Sequence, residues 1–180
     1  GLVKFALPKS ARSLIAGGSD IASHYLQPRI GSDIAVLKGL AKWILEHGAE
    51  DRDFIDHYCA DFDAFEQDIN ATSWLDIESS SGLSQHQLAE VAAVYAKSTQ
   101  AVFAWGMGIT HHANGVGNVQ YISNLALLRG MIGRPCSGLL PLRGHSNVQG
   151  IGTIGVKPVL SDEVFQRIET ELGVSMPAGN

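Results

Sequence analysis

Apolar residues at Ile34, Leu37, Leu40, Ala41, Ile44 and Leu45 recur every three or four positions, the spacing that lays one stripe along an α-helix. Gly31-Ser32-Asp33 opens this helix, with Ser32 or Asp33 able to cap it, and Gly48 is placed to end it. A second helix is predicted where Ser84 and Gln87 form a capping box ahead of Leu88, Val91, Ala92 and Tyr95, running to about Lys97. Between them, residues 51–77 are acidic and carry Phe54, Tyr58, Phe62, Phe65 and Trp74, a pattern for short helices packed on a domain surface. Residues 10–20 are rich in Ser and Gly and read as loop, while His24-Tyr25-Leu26-Gln27 alternates as a short strand before Pro28.

Ala101-Val102-Phe103-Ala104-Trp105 is apolar without a break, the pattern of a strand buried on both faces of a parallel sheet. It runs into Gly106-Met107-Gly108-Ile109-Thr110-His111-His112, and a helix follows from about Val116 to Met131, stopped by Gly133 and Pro135. Residues 136–158 read as one long loop, and an amphipathic helix is predicted over residues 162–172. Eleven of the chain's 20 glycines lie between Gly106 and Gly155, and a long irregular segment inside a compact domain is usually functional. Helix, strand, glycine loop and helix in succession predict an α/β fold with a parallel, Rossmann-like sheet.

Composition narrows the function classes. With 180 residues, 45% hydrophobic and 17% charged, the chain suits one ordinary domain or two small ones and excludes whole-chain disorder or coiled coil. No apolar run approaches the ~20 residues of a membrane span. Cys59 and Cys136 form no disulfide framework or metal motif, which points to a soluble protein of a reducing compartment, the cytoplasm. The net charge of −5 argues against non-specific nucleic-acid binding. That charge is unevenly spread, because residues 91–161 contain no Asp or Glu but hold Lys97, Arg129, Arg134, Arg143 and Lys157. Such a stretch suits a site for a small polyanion, or else an apolar core that lacks charge of either sign.

Several residues could carry chemistry. Ligands in open α/β sheets bind beyond the carboxyl ends of strands, where unpaired amides and the helix dipole favour anions. There Gly106 and Gly108 would let the main chain approach a ligand, and Thr110 adds a hydroxyl. His111 stands where a dinucleotide fingerprint would have its third glycine, so a nicotinamide site is a minor alternative, and a tight turn after a core strand is another. Of His111 and His112, one suits a hydrogen bond to a ligand oxygen and the other a structural role; neighbouring histidines rarely share a metal. Arg143, His145, Asn147 and Gln149 crowd polar groups into a segment flanked by Leu139-Leu140 and Ile151, able to meet a phosphate and a heterocycle edge, with an ordinary exposed polar loop as the alternative. Gly31 and Asp33 stay ambiguous, since an Asp at a helix start commonly caps but can also pair with guanine.

Taken together, Gly106-Met107-Gly108-Ile109-Thr110, the segment from Asn118-Val119-Gln120 to Gly133-Arg134-Pro135, and Pro141-Leu142-Arg143-Gly144-His145-Ser146-Asn147-Val148-Gln149-Gly150 resemble the molybdopterin oxidoreductase family, most of all its formate-dehydrogenase-like alpha subunits. Gln27-Pro28-Arg29-Ile30-Gly31-Ser32-Asp33 resembles an earlier segment of that family. The resemblance implies a bis(molybdopterin guanine dinucleotide) cofactor with molybdenum or tungsten, held by two α/β domains that each take one dinucleotide. It implies that Gly31 and Asp33 lie near one guanosine, that Gly106, Met107, Gly108, Thr110 and His111 pass close to the pterins, and that Arg143, His145, Asn147 and Gln149 belong to the second domain's cofactor loop.

Relatives often carry Gln where His111 stands. The family's cluster cysteines and the Cys or selenocysteine on the metal lie upstream and have no counterpart among these residues. We therefore expect an internal fragment, with residues 1–112 ending one dinucleotide-binding domain and residues 113–180 starting another. It is expected to be inactive alone, the parent enzyme having a small-molecule substrate, an iron–sulfur cluster outside this segment and an electron-transfer partner subunit. A nucleotide-binding Rossmann domain and a non-catalytic α/β assembly module are the alternatives.

Overall fold

The computed structural model describes residues 4–15, 17–156 and 160–175. They form two compact units, one up to Leu142 and one from Arg143. The first opens with a small antiparallel pair, β1 (Lys4–Phe5) and β2 (Ser19–Asp20), around a short helix α1 (Ala11–Ile15). A helical layer follows: α2 (Asp33–Glu46), α3 (Arg52–Tyr58), α4 (Phe62–Ala71), α5 (Trp74–Ser81) and α6 (Gln85–Lys97). Then β3 (Val102–Trp105) leads through a 3₁₀ turn (Met107–Thr110) into α7 (Gly115–Leu128) and β4 (Gly138–Pro141).

α2 is the axis of this unit. Its apolar stripe buries Ala41 and Ile44 against Ile55, Ile69, Leu125 and Leu128 from α3, α4 and α7. A second cluster of Ile77, Leu83 and Leu88 closes over it from α5 and α6, with Val36 and Leu40 of α2 packed against it. Gly39 permits the close approach: a Cβ there would stand 2.7 Å from Leu88 Cδ1. The helix ends as its sequence predicts, with Gly48 left-handed at φ +58° and Ala49 N–H reaching back to the Ile44 carbonyl at 3.0 Å. Its start differs. Neither Ser32 nor Asp33 caps with its side chain, because the Ser32 hydroxyl donates instead to the Arg29 carbonyl at 2.6 Å.

The capping box forms: Ser84 Oγ accepts from Gln87 N–H at 3.3 Å, and Gln87 Oε1 accepts from Ser84 N–H at 3.0 Å. β3 and β4 run parallel, Val102 opposite Gly138 and Trp105 opposite Pro141, so β3, α7 and β4 make one βαβ unit. The protein is thus mixed α/β, mostly helical, with a small parallel sheet.

Five further local expectations are corrected. Residues 10–20 are not all loop, since α1 and β2 lie within them. His24–Gln27 is not a strand: the Tyr25 hydroxyl and Gln27 Oε1 meet side by side, as alternation requires, but no described strand pairs with them. β3 is not buried on both faces, because the described sheet has only two strands; Phe103 packs edge-on against Tyr95 of α6, while Val102 remains 56% exposed. α7 stops at Leu128, with Gly130 left-handed and Met131 N–H bonded to the Ala126 carbonyl at 2.8 Å. The chain turns there because Met131 is fully buried and the Arg129 guanidinium donates to the carbonyls of Ala49, Ala96 and Ser98. Finally, residues 136–158 are not one loop, since β4 lies within them.

The second unit contains α8 (Val148–Thr153) and α9 (Asp162–Leu172), the latter with the bounds its periodicity predicts. No helix among the described residues is long and apolar enough to cross a membrane.

Candidate functional site

The glycine loop after β3 is built by its neighbours. Gly106 is extended and the chain then tightens into the 3₁₀ turn, with His111 N–H bonded to the Met107 and Gly108 carbonyls, both at 3.2 Å. The Thr110 hydroxyl closes the same turn by donating to the Met107 carbonyl at 2.8 Å. Gly106, Met107, Gly108, Thr110 and His111 are all exposed. A Cβ at Gly106 or Gly108 would meet nothing within 4 Å, so the chain's own packing does not require glycine at either position.

The start of α2 comes to the same place. Asp33 accepts no capping hydrogen bond, and its carboxylate lies 4.0 Å from His112 Nε2. The two histidines therefore divide: His112 turns to Asp33 and His111 faces outward. Gly31, at φ +81°, also has open space where a Cβ would be. Gly31, Ser32, Lys38, Thr72 and Asn114 line a cleft of about 430 Å³ beside this junction. Lys38 enters it while bound to Asp68 at 2.7 Å and to Thr72 Oγ1 at 3.1 Å, and the Tyr121 hydroxyl donates to the other Asp68 oxygen. Burial alone would raise the Asp68 pKa, but the hydrogen bonds from Lys38 and Tyr121 and the Lys38 charge outweigh it, holding the carboxyl below its usual value.

In the second unit Arg143, His145, Asn147 and Gln149 are all exposed. Asn147 starts α8 without a side-chain cap bond, and its carboxamide lies over Gly150, where a Cβ would approach Oδ1 to 2.3 Å. Arg143 has no hydrogen bond or ion pair among the described residues. Its guanidinium is left to solvent.

The apolar-core explanation of the carboxylate-free stretch accounts for only one part of it. α7 is apolar core, burying Ile122, Leu125 and Leu128, whereas residues 106–111 and 141–149 are largely exposed and still carry no acid. Among the described residues no three His, Cys, Asp or Glu side chains are grouped as a metal ion would need. Cys59 and Cys136 are free, and burial pushes the Cys59 thiol pKa up.

Lys38, Asn114 and Asn118 lie beside these residues without having been singled out in the sequence, whereas His112 was considered there together with His111. Only Asn118 had a readable signal, a carboxamide in a helix otherwise apolar toward the core.

β3, the glycine turn, α7 and β4 thus form a βαβ unit in a mixed α/β, mostly helical chain. The chain belongs to the molybdopterin oxidoreductase family, whose model matches residues 10–171. It is 38% identical to protein YdeP of Escherichia coli over 98% of the chain and 25% of that protein. It is 34% identical to an uncharacterized oxidoreductase of Mycobacterium tuberculosis, over 98% of the chain and 24% of the relative. A Staphylococcus aureus protein named "Putative formate dehydrogenase" is 34% identical over 86% of the chain and 17% of its own length. Acetylene hydratase from Pelobacter acetylenicus shares the fold, with a TM-score of 0.62 and 18% identity over 66% of this chain and 16% of that one. The chain spans about a quarter of the length of the first two relatives.

Proposed function

We propose that this chain contributes cofactor binding to a bis(molybdopterin guanine dinucleotide) oxidoreductase that acts on a small-molecule substrate. The observation that carries this is the open ground at Gly106 and Gly108, on the loop whose His112 meets an Asp33 carboxylate that caps no helix amide. Glycines at 106 and 108 without a packing or backbone reason, with a carboxylate that caps no amide and, among the described residues, meets His112 alone at 4.0 Å, fit a group that meets the main chain closely and offers an N–H edge. In this reading Asp33 and Gly31 hold a guanine, and Gly106, Met107, Gly108, Thr110 and His111 offer backbone and side-chain polar groups to a pterin. Arg143, His145, Asn147 and Gln149, free of acidic neighbours in sequence, take the second dinucleotide. When bound, the group supplies a molybdenum or tungsten centre that exchanges electrons with the substrate.

Formate is the substrate we favour, supported by the name of the S. aureus relative. A Rossmann-like completion of the small parallel sheet, division into two domains near residue 112, a cytoplasmic location, an iron–sulfur cluster elsewhere in the parent protein and an electron-transfer partner subunit belong to the same proposal.

The test is metal and guanine-nucleotide content of the purified full-length protein carrying Arg143→Lys, Arg143→Ala or Asp33→Asn. A lysine cannot reproduce the planar fork of arginine. Arg143→Lys is therefore expected to lose nearly as much bound metal as Arg143→Ala, and Asp33→Asn to lower occupancy without lowering the melting temperature. Full metal content in Arg143→Lys would end this assignment of the second unit; normal metal with a lower melting temperature in Asp33→Asn would make Asp33 a structural residue.

A further inference from the structure

Asn118 is the one buried polar residue of α7, 1% exposed, and its Nδ2 donates to the Ile109 carbonyl at 2.9 Å. That carbonyl belongs to the 3₁₀ turn between Gly106 and His111, so the bond ties the turn to the helix that follows it. One turn earlier, Gly115 makes the approach physically available: a Cβ there would stand 2.3 Å from the Thr110 carbonyl oxygen and 2.9 Å from its carbon. Backbone cannot yield as a flexible side-chain end can, so the turn can sit this close only over glycine. The N-terminal part of α7 also touches the other half of the site, where a Cβ at Gly117 would stand 3.1 Å from Ile34 Cδ1. His112 reaches Asp33 from the end of the same loop.

We infer that Asn118 is a positioning residue: its buried carboxamide, seated beside the gap that Gly115 leaves, fixes the loop backbone that meets the cofactor. This rests on the assignment of residues 106–111 to the cofactor. A buried carboxamide is costly to leave without a partner, and here one donor is committed to a turn whose outer face is open. Removing it frees the Ile109 carbonyl to seek water, which the turn can satisfy only by leaving α7. Asn118 itself does not face the ligand and acts through the turn.

The experiment uses the full-length protein with Asn118→Leu, which keeps the side chain's size and removes the donor, and with Gly115→Ala, which displaces the turn and spares the carboxamide. Molybdenum and tungsten per folded chain and the rate of cofactor release after dilution are measured, together with the melting temperature of the cofactor-free protein. Asn118→Leu is expected to release the cofactor roughly tenfold faster, the scale of one lost buried hydrogen bond, and Gly115→Ala to release it faster by displacing the turn. A merely structural Asn118 would lower the cofactor-free melting temperature and leave metal per folded chain and release unchanged, which overturns the inference. If Asn118→Leu does not fold, Asn118→Ala, which also removes the donor, decides by the same two readouts.

Gly108→Val separates the two levels. Its Cβ would meet nothing in the protein within 4 Å, so the substitution bears chiefly on a ligand bound there. Metal lost in Gly108→Val but kept in the other two variants refutes the role of Asn118 alone. Metal kept in all three refutes the assignment of this loop, and the inference with it.

Discussion

Gly39→Ala sets two opposed effects against each other at one position. In the middle of a helix, alanine is favoured over glycine by about 1 kcal/mol. The added Cβ would lie 2.7 Å from Leu88 Cδ1 and 3.1 Å from Ile77 Cγ2, with Trp74 Cζ3 at an ordinary 3.6 Å. Leu88 and Ile77 are 0% and 1% exposed, so neither can swing into solvent to relieve the contact. Overpacking of this kind costs about 1–3 kcal/mol. The substitution should therefore destabilise the protein by about 1 kcal/mol, the packing term winning over the propensity.

The background decides the sign. In Leu88→Ala, which by itself should cost about 2–5 kcal/mol, the obstructing Cδ1 is gone. There Gly39→Ala should stabilise by about 1 kcal/mol, giving a coupling near 2 kcal/mol between the two positions. Urea unfolding followed by far-UV circular dichroism on the four proteins of this cycle measures it, provided the denaturant slopes agree. Gly39→Ala stabilising both backgrounds equally would show that α2 and α6 do not pack through this glycine.

Two further stability predictions follow from single sites. Asp68, whose folded pKa is depressed, contributes stability that is complete above its unfolded value near pH 4 and is lost as pH falls through the folded value. Asp68→Asn should flatten the acid limb of a urea-midpoint profile below about pH 4, and an unchanged limb would show that the Lys38–Asp68–Tyr121 cluster adds nothing. Ser84→Ala should cost about 0.5–2 kcal/mol by removing the cap of α6, measured by the same unfolding. A loss no greater than for an exposed mid-helix Ser→Ala would refute the cap.

Elements whose signals are local were legible in the chain. The capping box at Ser84, the Gly48 terminus of α2 and the bounds of α9 depend on residues three or four apart, so their interactions are specified before any tertiary contact exists. The parallel strand, the glycine turn and the helix after it were legible for the same reason, and so were Gly31, Asp33 and the exposed loop residues as candidates.

What depended on distant partners was not. β4 pairs with β3 across α7, and nothing within Gly138–Pro141 marks it as a strand until that neighbour exists. His24–Gln27 has strand alternation and no described partner. Gly130 and Gly133 both adopt positive φ, and the choice of Gly130 as the helix end lies with burial of Met131 and with carbonyls brought by α2 and α6 to Arg129. The site divides in the same way. Residue type and spacing could nominate Asp33 and the glycines, because a ligand's chemistry restricts which groups can meet it. Only the fold could place His112 against Asp33 and Asn118 beneath Ile109, because those contacts arise where separate segments pack, and packing is decided by the whole unit at once.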